Sequence, residues 1–475
     1  MIRFINELIM GFRECFSRKA TFQWFVVIVV GLLVRTDHLG VTSVIRGALL
    51  SPNYMALIGF FRSGAWTLEG LIAQWCEVVK QHAPLVKQGD AVILVGDGVK
   101  QAKEGRKMPG VKRQHQESEN SSKAEYMWGH LFGGVGVLAE AVGKRFCIPL
   151  ALRVQDGVKT IMSWDKKEEQ SSHVTETIRL AHEIGKRFGK AILLLDRLFL
   201  TVPALTTLAA LNADSPTLQI VTKAKSNCIA YHSPSARTGK RGRPPKKGEA
   251  VKLFDQFATE KEAFRETTAT LYGKLETIQY HCVDLLWGQG LYQKLRFVLV
   301  KYNDARAVLV STDLTLDPVD IICLYSKRFG IETMFREMKQ VVGAFGYRFW
   351  SKHMPRLNKF RKKSDPDPLV HVTKQCDRER VALALRAIEG FVFCATVTTG
   401  LLQIIALRFS GSDELQQLRF LRTRRSTVVS EATAADFLRK NFFLLLRNHT
   451  DLPLTQIISS KQSHSPDFFG LPLAS

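Results

Sequence analysis

Acidic residues are scarce in this chain relative to basic ones. Asp and Glu total 44 against 67 Lys and Arg, which gives a formal net charge of +23 at pH 7. A positive excess of this size is typical of proteins that bind a polyanion, either nucleic acid or an anionic membrane surface. The composition, with 45% hydrophobic residues, is that of a globular protein, and the length of 475 residues predicts about two to four domains.

Cysteine pairs and long apolar runs are also missing. The eight cysteines are scattered and none forms a C-x-x-C pair, which argues against a zinc module or a disulfide framework and favours a reducing cytosol. The first residues, MIRFINELIMGFREC, have acids within an apolar stretch, so no secretion signal is expected. The longest apolar run, residues 22–34, is too short for a membrane span and predicts a buried helix. We therefore expect a cytoplasmic protein whose partner is nucleic acid rather than a membrane.

Two apolar runs of strand length, DAVILVGDGVK and KAILLLDRLF, bring an aspartate to the end of a predicted strand: Asp97 in the first and Asp196 in the second. Unbroken apolar runs are typical of strands covered on both faces, as in α/β sheets. Ligands of such sheets gather at the carboxyl ends of strands, so both aspartates are candidate site residues. A hairpin about Gly143 and an amphipathic helix over residues 175–189 are predicted between them. This order of elements is that of a ribonuclease-H-like core.

The whole pattern predicts an α/β protein in which this ribonuclease-H-like catalytic core carries a β-rich insertion and is flanked by helical regions. Residues 1–88 are mostly helical, and either a DNA-binding head or a helical cap on the main domain fits them. The other boundaries follow from changes of pattern. The core is predicted in two parts, residues 89–225 and 311–370, with the insertion at residues 226–310 between them. Residues 371–475 form the predicted helical C-terminal region.

The segment YSKRFGIETMFREMK, residues 325–339, contains a third carboxylate. On a single helix at about 100° per residue, one stripe about 60° wide holds four polar side chains: Tyr325, Arg328, Glu332 and Lys339. An apolar face beside the stripe is expected to pack on a sheet: Ile331, Met334, Phe335 and Met338. A solvated surface with an Arg328–Glu332 ion pair is the alternative. The two upstream aspartates favour a site, because three carboxylates from two strands and a helix suit a two-metal phosphodiester site.

The spacing Y-x2-R-x3-E-x6-K in this segment resembles the signature of the cut-and-paste DDE transposases of bacterial insertion sequences. VGDGVK and LLLDRLF resemble the two aspartate motifs of that family, and residues 104–130 resemble the segment after the first aspartate in one branch of it. The resemblance covers most of the chain. It implies that Asp97, Asp196 and Glu332 are catalytic and bind two Mg²⁺ ions, with Mn²⁺ able to substitute.

The resemblance also implies an activity and partners. One site would nick DNA with water and then use the freed 3′-hydroxyl to attack a target strand, while Tyr325, Arg328 and Lys339 hold the phosphates at the transposon end. The partners would be double-stranded DNA, as terminal inverted repeats and as target, and paired ends imply at least a homodimer. Two alternatives stay open: a metal-dependent nuclease that never joins strands, and a DNA-binding regulator whose acids no longer catalyse.

Three basic segments are candidate DNA contacts outside this signature. Residues 100–113, which include Lys100, Arg106 and Lys107, could follow a DNA backbone near the metals, with a solvated loop as the alternative. KRGRPPKK, residues 240–247, contains Arg241 and Arg243.

That second segment resembles an AT-hook core, whose Arg-Gly-Arg can enter an A·T minor groove, and a solvated insertion loop is its alternative. The third segment, residues 348–363, is basic and aromatic. Its Phe349 and Trp350 either stack on exposed bases or belong to the core.

Overall fold

The computed structural model describes residues 1–38, 40–48, 54–116, 124–164, 172–235, 245–361, 365–420 and 428–462. Within these ranges the helices α1 to α15 are Ile2–Met10, Lys19–Val34, Thr42–Gly47, Tyr54–Arg62, Leu68–His82, Lys159–Ser163, His173–Phe188, Val202–Leu211, Gln256–Thr259, Pro318–Ser326, Gly330–Glu337, Gln375–Phe409, Asp413–Gln417, Glu431–Arg447 and Pro453–Lys461. The strands β1 to β13 are Lys87–Gln88, Ala91–Ala102, Lys112–His115, Tyr126–Ala141, Lys144–Val154, Lys190–Leu194, Leu218–Lys223, Ile229–Tyr231, Ala250–Lys252, Arg265–Leu271, Lys274–Trp287, Gln293–Tyr302 and Ala305–Ser311. The predicted α/β class is confirmed.

One 13-stranded mixed sheet organises the chain. Its main path runs β3-β4-β2-β6-β7-β13-β12-β11-β8-β9, with β5 on β4, β1 on β2 and β10 on β11. Strands β2, β6 and β7 pair in parallel, and the other pairs are antiparallel. The central parallel strands are apolar and buried, as expected for strands covered on both faces.

Strand β2 is longer than the sequence predicts, because it continues past Asp97 to Ala102. Its parallel pairing with β6 ends at Val95, whereas its antiparallel pairing with β4 continues to Ala102. The antiparallel partner therefore keeps the chain extended after the apolar run has ended. The predicted end of the strand at Asp97 lies two residues beyond the last pair with β6.

The hairpin and helix predicted between the two aspartates are both present. Strands β4 and β5 are joined through Val142 and Gly143, whose φ angles are 48° and 74°, the left-handed backbone that a two-residue hairpin turn requires. Helix α7 begins after a Ser172 capping box. Its apolar face, including Ile178 and Ala181, is fully buried.

The β-rich segment after β7 extends the same sheet. Strand β13 pairs with β7, with Ser311 opposite Val221, so the strands of this segment continue the core sheet edge to edge. They also enclose a second, smaller apolar core that contains Phe257, Phe297 and Leu299.

Helices from both ends of the chain form one layer. Helix α12 contacts β5 and also α2, and α2 contacts α14 and α15. The predicted buried helix is present as α2, since residues 25–33 are almost completely shielded from solvent. Among the described residues, α12 alone is long and apolar enough to cross a membrane, and 94% of its apolar window is buried inside the protein.

Candidate active site

The segment 325–339 is two helices rather than the single helix that the sequence predicts. Helix α10 ends at Ser326, α11 begins at Gly330, and a π-helical segment, Met338–Val342, follows. Between the helices the backbone makes tighter i to i−3 hydrogen bonds, such as Ile331 N–H to the Arg328 carbonyl at 3.2 Å. Glycine is a poor helix former, so position 330 is a natural place for the break. The expected apolar face is nevertheless buried.

Asp97 lies on β2, and Asp196 follows the end of the neighbouring strand β6. In the parallel pair β2–β6, Val95 is opposite Leu194, and each aspartate comes two residues later. Both therefore reach the same level at the carboxyl edge of the parallel part of the sheet, as the sequence predicts.

Backbone hydrogen bonds fix both aspartates. The Asp97 carboxylate accepts the Gly98 N–H at 2.7 Å. The Asp196 carboxylate caps the short 3₁₀ helix Arg197–Phe199 by accepting the Arg197 N–H at 2.6 Å, while its carbonyl accepts the Thr222 hydroxyl of β7 at 2.9 Å. One oxygen of each carboxylate is thus oriented by the backbone, and strand β7 fixes the position of the Asp196 main chain.

Arg328 joins Asp97 to Glu332. Its Nη1 lies 3.3 Å from Asp97 Oδ2, and its Nη2 lies 2.7 Å from Glu332 Oε1. The Arg328–Glu332 ion pair expected for a solvated surface therefore exists. However, the Arg328 side chain is only 16% exposed, and it has Asp97 of the sheet as a second carboxylate partner. Among the described residues, no three His, Cys, Asp or Glu side chains are close enough to hold a metal ion between them.

The electrostatics of Asp97 reflect this crowding. Burial raises the pKa of Asp97 to about 6, and the negative charges of Asp196 and Glu332 act in the same direction. The Gly98 N–H and the Arg328 guanidinium oppose the shift. A carboxylate held beside two others in a partly buried place has unfavourable charge repulsion that a cation relieves.

Tyr325 shares a cavity with Arg328 and Asp196. The cavity has a volume of about 390 Å³, and Arg197 and Lys223 also line it. Burial raises the pKa of Tyr325 to about 12, so its phenol stays protonated and can donate a hydrogen bond. Three of the predicted residues therefore face one concave space.

Lys339 and the basic residues after Asp97 belong to a neighbouring region. The Lys339 Nζ donates to the Lys100 carbonyl at 3.3 Å, and the Lys100 Nζ donates to the His115 carbonyl at 2.7 Å. Arg106 and Lys107 line a larger cavity of about 930 Å³. The structure thus places Lys339 beside Lys100 rather than in the Arg328 cluster. Arg241 and Arg243 lie outside the described residues.

One buried and one half-buried arginine support the end of the Glu332 segment, and sequence reasoning missed both. Arg35 is 1% exposed and donates to the Val342 and Gly343 carbonyls at 2.7 and 3.0 Å. Arg439 donates to the Val341 carbonyl at 2.7 Å. Cations at a helical C-terminus satisfy carbonyls that have no partner within the helix. The only sequence signal is that Arg35 directly follows the apolar run.

A family model described as DDE superfamily endonuclease matches residues 11–281. The match covers more than half of the 475 residues, includes Asp97 and Asp196, and ends before Glu332. No curated protein and no solved structure matches the chain. The chain therefore belongs to the DDE superfamily endonuclease family.

Proposed function

We propose that this protein is a DDE transposase that cleaves and joins DNA at the ends of an insertion sequence by cut-and-paste transposition. One observation carries the proposal: Asp97 and Asp196 each lie two residues beyond the last paired residues of two adjacent parallel strands, and Arg328 links Asp97 to Glu332. The acids come from three separate parts of the chain, as a two-metal phosphodiester site needs.

The strand order supports a ribonuclease-H-like core. The order β5-β4-β2-β6-β7 has an antiparallel half and a parallel half, and α7 connects the two halves. The proposed site lies where the parallel half ends. Residues 311–370 would return to this core with the Glu332 helix after the β-rich insertion.

The carboxylate chemistry of the three acids suits a hard divalent cation, but as described they are not close enough to hold one ion between them, so binding would have to draw them together. All three side chains offer carboxylate oxygens, which Mg²⁺ prefers and Mn²⁺ also accepts, and mutual repulsion at Asp97 favours a bound positive charge. When bound, two such ions supply Lewis-acid stabilisation of the attacking and leaving oxygens of an in-line displacement. Asp97, Asp196 and Glu332 would hold them. The Arg328 guanidinium now balances two of these acids.

The remaining signature residues would bind and orient DNA. Arg328 can pair with a phosphate through two parallel hydrogen bonds. Tyr325 supplies a neutral donor in the same cavity, and Lys339 supplies a positive charge beside β2. The proposed substrates are terminal inverted repeats and target DNA, bound by at least a homodimer because two ends are processed together.

The test uses purified protein, a plasmid that carries the two ends, and Mg²⁺. Asp97→Asn, Asp196→Asn and Glu332→Gln should each reduce cleavage by more than the roughly 10–100-fold that loss of a supporting partner costs. Their DNA affinity should stay near that of the parent protein, since removing an acid does not weaken attraction to phosphate. Asp90→Asn is the matched control, because Asp90 precedes β2 and is 73% exposed.

Product analysis separates the candidate activities. Joined products that require all three acids support a transposase. Cleavage without joining identifies a nuclease, and undiminished cleavage by any of the three variants contradicts a three-carboxylate mechanism. Asp97→Cys sharpens the metal assignment, because cleavage should be lost with Mg²⁺ and partly restored with Mn²⁺, which accepts softer ligands better.

A further inference from the structure

Two adjoining cavities form a basic trough next to the proposed site. They have volumes of about 930 and 710 Å³ and share Arg348 and Trp350 as lining residues. Gln101, which lies four residues after Asp97 on β2, lines the first cavity. Four residues of strand span about 13 Å, so the trough starts within a few nucleotides of the acids.

The charge of the basic trough is almost entirely of one sign. Among the residues that the structure describes, nine different Lys and Arg side chains line the two cavities, against one acid, Glu104. Within the described ranges none of the nine forms an ion pair. His353 of the second cavity is paired with Asp377 at 2.6 Å. So many uncompensated cations in a concave surface favour an anionic ligand with several charges.

Backbone hydrogen bonds hold the wall of the trough in place. The Ser351 and Leu357 N–H groups donate to the Lys107 and Arg106 carbonyls at 3.0 and 2.8 Å. The Lys103 Nζ donates to the Tyr347 carbonyl at 3.0 Å. The loop after β2 and the basic, aromatic segment after Lys339 are therefore joined into one preformed surface.

The exposure of Trp350 favours single-stranded over double-stranded DNA as the ligand of the trough. Its side chain is 63% exposed at the junction of the two cavities, whereas its neighbour Phe349 is buried. A large exposed aromatic among cations is the arrangement that stacks on unpaired bases while arginines and lysines follow the backbone. Bases in a duplex are stacked on one another, so their faces are not available to an aromatic wall inside a cavity.

We propose that the basic trough binds single-stranded DNA, with phosphates on its Arg and Lys side chains and a base stacked on Trp350. The inference rests on the proposed function, because breaking a strand near the acids creates a strand end beside the trough, and the trough would hold that end once it unpairs. It adds a binding site for that end which involves none of the three acids. Arg348, which lines both cavities, holds the backbone on either side of the stacked base.

The experiment measures binding of a fluorescein-labelled 15-nucleotide oligo(dT) and of a duplex of equal length, in EDTA and at constant salt. Trp350→Ala should weaken binding of the single strand by about 5–150-fold, the range that base stacking gives, and should change duplex binding less than about twofold. Trp350→Phe should retain most of the affinity because it keeps an aromatic face. Arg348→Ala should weaken single-strand binding and lower its salt dependence.

Two controls distinguish stacking from general effects. Phe360→Ala removes an aromatic side chain that is 82% exposed in the same basic segment and lines neither cavity, so it should leave binding unchanged. Lys261→Ala removes an exposed charge in the β-rich segment and should have little effect. Thermal unfolding of each variant verifies that it is folded.

The inference is overturned if Trp350→Ala lowers single-strand and duplex affinity equally, or lowers neither. Its failure is separable from failure of the proposed function, since binding in EDTA requires no catalysis. Asp97→Asn should bind oligo(dT) as the parent protein does. Loss of cleavage in that variant together with unchanged oligo(dT) binding assigns the two activities to separate surfaces.

Discussion

The acidic site and the basic trough lie along the same strand and manage charge in opposite ways. At the acidic site Arg328 lies between Asp97 and Glu332 and balances them from within the protein. In the trough the cations have no ion-pair partner among the described residues. The acids would bind cations and the trough would bind an anion. Only the acidic site contains a side chain, Arg328, that takes the place of its ligand.

Burial explains the difference. Asp97 is partly buried beside two other acids, so leaving its charge unbalanced would be costly. Most of the trough cations border open cavities, where water and salt screen their mutual repulsion. The partly buried acids at the sheet edge therefore need an internal counter-charge, whereas the solvent-screened cations of the trough do not.

The largest expected effect is on folding stability and concerns Arg35, a buried cation that lines neither the acidic site nor the trough. Arg35→Met removes hydrogen bonds to the Val342 and Gly343 carbonyls and leaves these buried acceptors without that partner. The expected loss of folding free energy is about 2–4 kcal/mol. Arg46→Met is the matched control, because Arg46 is 61% exposed in its ion pair with Asp37 and should cost less than about 1 kcal/mol.

Urea-induced unfolding of both variants measures the difference. Hydrogen exchange of residues 338–343 should rise in Arg35→Met and stay unchanged in Arg46→Met. Equal stability of the two variants would show that buried cations support the acidic site no more than surface cations do.

A smaller effect is expected at Arg328. Arg328→Ala should reduce strand cleavage by roughly 10–100-fold, because the variant loses a positioned phosphate partner. It should not weaken Mn²⁺ binding in the absence of DNA, since the guanidinium competes with a cation for Asp97 and Glu332. Manganese titration followed by electron paramagnetic resonance measures this second quantity. Arg336→Ala is the control, because Arg336 lies further along α11 and pairs with Glu337. Weaker Mn²⁺ binding by Arg328→Ala would contradict the interpretation that Arg328 substitutes for a bound cation.

Much of the acidic site follows from sequence because its parts are local. The aspartates end apolar runs, so strand period and the geometry of parallel sheets place them together. The buried face of the Glu332 helix also follows from helical period. The break at Gly330 does not, because a helical wheel assumes one continuous helix.

Contacts between distant segments could not be predicted. Arg35 reaches Val342 across 307 positions, and no spacing pattern encodes such a pair. Trp350 and Phe349 are adjacent aromatics of opposite burial, and the sequence alone leaves either one as the core residue. The extension of the sheet through β13 likewise depends on an edge pairing that no local pattern specifies.

The smallest expected effect concerns single charges in the basic trough. If Lys359 contacts a phosphate there, Lys359→Ala should weaken DNA binding only a few-fold at moderate salt. The slope of log affinity against log salt should fall by about 0.7 for a single strand, because one fewer counterion is released. Lys186→Ala is the control, since Lys186 is an exposed cation on α7 and does not line the trough. Titrations at four salt concentrations give both slopes. Equal slopes for the parent and Lys359→Ala would mean that Lys359 stays solvated in the complex. Fewer cations of the trough would then contact DNA than line it.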